Sequence, residues 1–596
     1  MTDELIEAAA WKLVSEDRTV RTEAYKIIKE FGGSAVPVLM QVAREWDEKQ
    51  QGCWLGIFAG GSPTESLVYA IKDAAAIEPL ESLMGDPDPV FRRFAVFALC
   101  EINDPRVLDI IEKAANDDDP VVRSNAVRGY CNVSSGNQKA FELTMHAIYD
   151  PDERVRKTAA NILRRVGGPE SVDVLISALN DPSEKVAVSA ASTIGVMRAE
   201  EGVEPLIRVL QSQNNSVVSS AIRALGKLCD SRAVDPLLQV LNNSDYFLRS
   251  SALEVLNEID PNRAISSAIN SLHDLHYMVR KSAVDLLGNS GNNDMSDYIA
   301  QMLDDEEPSV RQAALNALAT LSDNRAFEPL VNLLKIEPKF EPVLVGVNPQ
   351  QYRDEDENRF ARERAAKFLG ILGNPSAIQP LVDALADPST EINAAVALSR
   401  IGNDRGIQHL LSMLDPSHKK SYSLIIRTLG DIKDIRAVKP LIKLLDSNEP
   451  LGLSHHDVLN VLGSIGSDEA IDKLKSIVAE GQHDALDAAL ALAKAGYDVG
   501  FDYLRSELES CSKPSWRVMH KLRYINDQRA IDLMIDALNV NDDTYKIEAI
   551  QGLCGTDDSR VFGLLSGLLD DESRQVRLTA WRGINKIKCK IRKCAQ

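Results

Sequence analysis

Aromatic side chains make up only 5% of this 596-residue chain. An interior built on large rings is therefore excluded, and the abundance of Ala, Leu and Val favours small side chains packed between close helices. Long apolar runs are missing too: no window reaches the roughly 18 uncharged apolar residues of a membrane span. The first ten residues lack the basic flank and apolar stretch of a secretory signal. Cysteine is sparse and scattered, eight residues with no CxxC spacing, which reads as reduced core thiols in a cytoplasmic protein rather than a disulfide framework. Positive charge is in deficit, 67 Lys and Arg against 88 Asp and Glu, for a net −21. Such a surface argues against nucleic acid and favours neutral or basic protein partners. There is no GxSxG, no P-loop and no GxGxxG following a strand, so no nucleophile elbow or phosphate cradle is on offer. Sustained alternation of apolar and polar residues is likewise absent.

What the chain does have is a period. Val155, Val186, Val217, Leu248, Val279 and Val310 stand 31 residues apart and open successive copies of one template. A fixed period of this size marks stacked supersecondary units. Within one copy, Val310, Ala314, Leu318 and Leu321 recur at helical spacing, which predicts an A helix with one apolar face. Residues 322–325 read as a turn. Phe327, Leu330, Val331, Leu333 and Leu334 then predict a B helix, with Pro329 in the first turn where a missing N–H costs little.

Charge follows the same period. An Asp stands six residues before an Arg at Asp86/Arg92, Asp117/Arg123, Asp150/Arg156, Asp274/Arg280, Asp305/Arg311, Asp356/Arg362 and Asp571/Arg577. The Asp is placed to cap the A helix, and the Arg to reach that carboxylate or its counterpart in the next copy. A second row, Arg106, Arg232, Arg263, Arg325, Arg405, Arg436, Arg529 and Arg560, falls in the A–B turns. Its recurrence along the array points to stitching between copies rather than to an anion site.

The template resembles the HEAT-repeat superfamily, in particular the HEAT-like units first associated with phycobilisome lyases. The residues carrying the likeness are Asp150, Pro151, Val155 and Arg156; the Leu-Gly pairs Leu225-Gly226, Leu369-Gly370 and Leu429-Gly430; and the helix B openings Arg232-Ala233-Val234 with Pro236-Leu237, and Arg436-Ala437-Val438 with Pro440-Leu441. The resemblance implies an all-α fold, a right-handed α-solenoid superhelix of about 18 HEAT-like helix pairs. The expected layout is one continuous solenoid over 1–596: irregular units with a nine-residue insertion in 1–84, regular 31-residue repeats in 85–335, an inserted loop or arm in 336–358, further repeats in 359–583, and a basic tail in 584–596.

Interruptions of the period are the candidate contact sites, since insertions fall on loops. The 336–358 insertion carries Pro338, Pro342 and Pro349, which oppose a helix, together with Phe340, Val343, Leu344 and Tyr352. Near the amino terminus Trp46, Trp54 and Phe58 cluster around Gly60-Gly61. These seven apolar residues are the partner-binding candidates. The tail carries five cations and can touch an acidic partner, nucleic acid or an anionic membrane, or form a solvated last helix turn that caps the array.

The resemblance also suggests chemistry to look for. HEAT-like di-iron hydroxylases hold metal through His-Glu pairs, and none of the nine histidines here is followed by Glu. The densest remaining cluster, His455 and His456 with His483 one unit on, is a weak metal candidate, because adjacent helical residues point about 100° apart. No catalytic residue, cofactor or small-molecule substrate is assigned. The expected function is a non-catalytic cytoplasmic scaffold or adaptor that binds a protein partner along a concave helical surface. The alternative is a bilin lyase-type enzyme or accessory subunit, or a metal-dependent modifying enzyme.

Overall fold

The computed structural model describes residues 2–12, 18–42, 73–134, 136–335, 349–414, 422–446, 455–481, 484–510, 516–540 and 542–595. Helices and turns account for the described residues, and no strand occurs among them. The chain forms two compact units: Met1–Ala233 with Leu568–Cys589, and Val234–Gly567 with Lys590–Gln596.

In the first unit the long A helices Pro89–Ile102, Pro120–Val133, Glu153–Val166, Glu184–Met197 and Asn215–Leu228 pack side by side. Shorter B helices, such as Leu108–Ala114, Val172–Ala178 and Val203–Val209, follow a single 3-10 turn each. The pattern of small and branched residues explains the layering. Val155, Ala159, Ala160, Leu163 and Val166 are buried along one stripe of their helix, and Val172 and Leu175 of the following B helix close over it. Neighbouring A helices approach so closely at Gly195 that a Cβ there would lie 2.7 Å from the Ala224 Cα. The starts are fixed by side-chain caps. Asp88, Asp119 and Asp152 each accept N–H bonds from the first helical turn, and Pro89 and Pro120 occupy positions whose N–H would be orphaned anyway.

The second unit continues the scheme through Tyr246–Ile259, Tyr277–Asn289, Pro308–Thr320, Glu391–Arg400, Tyr422–Ile432, His455–Ile465, Ala485–Lys494, Trp516–Leu522 and Asp543–Leu553, each with its B helix. The segment 322–334 comes out as read from sequence: a 3-10 turn at Asn324–Ala326 leads into the helix Phe327–Leu334.

The inserted segment differs in part from expectation. Residues 336–348 lie outside the described residues, but 349–358 are not loop. They open a 24-residue helix, Pro349–Leu372. Pro349 sits at the first helical position, where proline starts a helix instead of breaking one. The basic tail is likewise no separate appendage, since it continues the helix Arg574–Ala595.

Candidate functional site

The first charge ladder stitches one copy to the next. Arg92 pairs with Asp117 at 2.8 Å, Arg123 with Asp150 at 2.7 Å, Arg156 with Asp181 at 2.7 Å, Arg249 with Asp274 at 2.6 Å, Arg280 with Asp305 at 2.8 Å and Arg362 with Asp387 at 3.2 Å. Each partner is the Asp of the following repeat copy, not the Asp six residues earlier. Toward its own unit the guanidinium instead donates to main-chain oxygen, as Arg92 does to Asp86 O at 2.9 Å. Arg311 and Arg577 make the same bond to Asp305 O and Asp571 O. The capping role also moves by two residues. Asp86, Asp117 and Asp150 accept the N–H two residues on, while Asp88, Asp119 and Asp152 cap the helix proper. Because these pairs are largely buried, Arg280 holds the Asp305 carboxyl below the usual carboxylate range, and Arg156 does the same to Asp181.

The second row is a matching stitch on the A–B turns. Arg232, Arg325, Arg436, Arg529 and Arg560 each fork onto the Asp two residues earlier. Several also reach back one unit: Arg263 to Asp235 at 2.7 Å, Arg325 to Asp297 at 2.9 Å, Arg436 to Asp404 at 2.9 Å and Arg560 to Asp532 at 2.7 Å. With their donors committed to carboxylates, these arginines form a seam.

The histidine cluster separates into two pairs. His455 Nδ1 lies 2.6 Å from Asp484 Oδ2, while His456 Nδ1 lies 3.1 Å from Asp487 Oδ1, which also receives Lys521. His483 lies outside the described residues. The bonds from His456 and then Lys521 pull the Asp487 carboxyl down to about 2. Arg427, Asp431, Asp457, Asn460 and Lys494 line a nearby groove of about 850 Å³.

Of the seven apolar candidates, Trp46, Trp54, Phe58, Phe340, Val343 and Leu344 lie outside the described residues. Tyr352 falls in the helix Pro349–Leu372, its side chain outside the description. Among the described residues, one cluster of exposed apolar side chains lies on two neighbouring A helices of the second unit. Tyr246 and Phe247 open one, and Tyr277 and Met278 the other, all exposed; Leu275, in the loop just before the second of these helices, is 98% exposed. His276 caps the second helix by accepting the Met278 N–H on Nδ1, and its ring stacks 3.6 Å from that of Tyr246 at 7°. The Tyr277 ring also stacks with it, centroids 4.9 Å apart. Comparison across copies would have found this patch. The first two helical positions hold Pro-Val, Pro-Val, Glu-Arg, Glu-Lys and Asn-Ser in the preceding units and Pro-Ser in the one that follows, but Tyr-Phe and Tyr-Met here.

The carboxy-terminal helix has a different surroundings. Within the first unit it lies across the carboxyl ends of A helices, presenting one face at Arg574, Leu578, Arg582, Asn585 and Cys589. Arg574 donates to Val166 O at 2.5 Å, pairs with Glu170 and stacks over the Phe141 ring at 4.3 Å. Arg582 donates to Arg165 O and Gly167 O at 3.0 and 2.9 Å, and Asn585 to Met197 O at 3.3 Å. Cations thus meet the negative ends of helix dipoles. Burial pushes the Arg582 guanidinium below its ordinary pKa.

Helix pairs of one design, packed copy against copy and tied by periodic Arg–Asp seams, define an α-solenoid. The sequence profile described as HEAT repeats matches residues 77–130, 110–187, 172–257, 265–341, 350–421 and 407–494. These segments cover well over half of the chain, which belongs to the HEAT-repeat family. Among curated proteins it is 29% identical over 111 residues to bilin biosynthesis protein PecE of Nostoc sp. strain PCC 7120, and 29% over 118 residues to phycocyanobilin lyase subunit alpha of Picosynechococcus sp. strain PCC 7002. Those matches take in 18% and 17% of this chain and 44% of each relative, so less than half the length of either relative is covered. Among solved structures it is similar in fold to yeast importin-beta (Kap95p), with 12% identity, a TM-score of 0.55, and coverage of 100% of this chain and 96% of that one. Importin beta in an ammonium sulfate condition gives 15%, 0.52, and coverage of 96% and 90%. No described helix is long and apolar enough to cross a membrane.

Proposed function

We propose that this chain is a cytoplasmic, non-catalytic scaffold or adaptor whose helical faces bind a protein partner. The supporting observation is the exposed patch of Tyr246, Phe247, Leu275, Tyr277 and Met278. In a chain with 5% aromatics, large rings left in water at helix-opening positions where the five preceding A helices carry no aromatic residue suit a contact surface. Repeats whose charges are spent on stitching supply a long, regular support for such a surface. The concave face, the 336–358 segment and the Trp46, Trp54 and Phe58 region are proposed as further contacts.

Affinity capture of the full chain from its native cell, quantified by mass spectrometry, tests the reading. A stoichiometric protein partner is expected with the wild type and lost with the double variant Phe247→Asp/Tyr277→Asp. Equal recovery on both would remove the patch from the scaffold. The likeness to bilin biosynthesis proteins makes a rival forecast: a purified chain that carries a visible-absorbing bilin, released on replacement of single Cys residues, would be a lyase-type protein.

A further inference from the structure

The aromatic patch continues into charge. Along the helix Tyr246–Ile259, Phe247, Glu254 and Glu258 share one exposed stripe, since seven residues return to within about 20° of the starting direction. On the neighbouring helix Tyr277–Asn289, Met278 and Asp285 stand in the same relation. Three carboxylates, Glu254, Glu258 and Asp285, thus gather about two to three turns beyond the apolar end. Among the described residues Lys281 answers them, bonding Asp285 at 2.8 Å. Desolvation, then repulsion from Asp285 and Glu258, raises the Glu254 carboxyl above its ordinary pKa.

Apolar side chains at one end and excess negative charge at the other specify complementary chemistry. Resting on the scaffold reading, we infer that this two-helix face takes an extended protein segment with an apolar or aromatic anchor and a Lys or Arg a few residues further along. The anchor lies against Phe247, Leu275 and Tyr277, and the cation reaches Glu254, Glu258 and Asp285. The helix rise of about 1.5 Å per residue puts Glu254 and Glu258 about 10 and 16 Å from Phe247, which an extended chain spans in roughly three to five residues. An acidic segment is excluded by repulsion, and a purely apolar one leaves the carboxylates uncompensated.

The test is selection of random dodecapeptides from a display library on the full-length chain, followed by fluorescence anisotropy of the recovered peptides. The expected motif is an apolar residue followed by Lys or Arg at that spacing. Phe247→Asp is expected to weaken binding at least about tenfold. Glu254→Arg/Glu258→Arg is expected to abolish binding of the basic peptide and to confer binding on a copy with Glu in place of its Lys or Arg. Both sites are exposed, so circular dichroism should show unaltered helix content. Recovery of acidic or purely apolar motifs at this face overturns the inferred class while leaving a peptide-binding scaffold standing. Failure to recover any peptide that Phe247→Asp releases overturns the class, and the scaffold reading then rests on the native capture. Sedimentation showing self-association of the wild type that Phe247→Asp abolishes would make the occupant a second copy and also overturn the inference.

Discussion

At the scale of single residues, burial decides which of the many Arg–Asp pairs matters. The Arg280 and Asp305 side chains are 9% and 5% exposed, whereas Arg154 in its pair with Asp152 is 55% exposed. Removing one partner of a buried pair strands the other charge, so Arg280→Met should cost about 3 kcal/mol. Arg154→Ala should cost about 0.5 kcal/mol or less. Denaturant melts of the two variants, read on the transition of each unit, compare them directly. Asp487 gives a pH forecast. Bonded to His456 and Lys521, it has a folded-state pKa of about 2 against an ordinary 3.8. A depressed carboxylate contributes stability above its unfolded pKa and loses it as pH falls through the folded one. Acid titration followed by circular dichroism should therefore show a component lost between about pH 4 and pH 2, which Asp487→Asn removes. Adjacency hid this arrangement in the sequence. His455 and His456 read as one cluster, but the turn of a helix sends them to separate carboxylates, one at the N-cap of the next A helix and one in its first turn.

At the scale of the helix, close approach outweighs intrinsic propensity. Gly195→Ala should gain about 1 kcal/mol of helix propensity on an isolated helix. Here the new Cβ would stand 2.7 Å from the Ala224 Cα, backbone that cannot swing aside, so the variant should melt at lower temperature than the wild type. Thermal unfolding of Gly195→Ala checks the sign. Gly481→Ala meets no neighbour within 4 Å but must hold a φ of +60°, and should be destabilising by about 1 kcal/mol for a different reason. Helix existence was legible because apolar spacing and cap chemistry agreed within each copy. The start of the helix Pro349–Leu372 was not, because the same proline that ends a helix from inside begins one at its first position, and only the neighbouring turn distinguishes the cases. The Tyr246–Tyr277 patch went unread for a related reason. Period hunting rewards positions that repeat, whereas this patch consists of positions that stop repeating.

At the scale of the whole chain, the period is visible because every helix pair meets nearly the same neighbours, so the same residues recur under the same constraints. Docking of the carboxy-terminal helix leaves no such trace. Arg574 and Val166 are 408 residues apart, and a repeat that relates each copy to its neighbours gives no sign that they meet. Their chemistry still makes a definite forecast. The A helices Glu153–Val166 and Glu184–Met197 end in carbonyls that no helical N–H of their own can reach, and Arg574, Arg582 and Asn585 supply donors to them. Deleting 574–596 returns those carbonyls to water and uncovers Phe141 and the ground beside Gly168, where Leu578 packs. Local opening free energy there should fall, so hydrogen exchange should accelerate at the carboxyl ends of those helices, while the helix Pro308–Thr320 keeps its wild-type rate. Arg574→Ala, which removes the ring contact, the Glu170 pair and one carbonyl bond together, should give the same pattern at smaller amplitude. Unchanged exchange around residues 163–168 and 195–199 in the deletion would mean that the helix rests on the first unit without holding it.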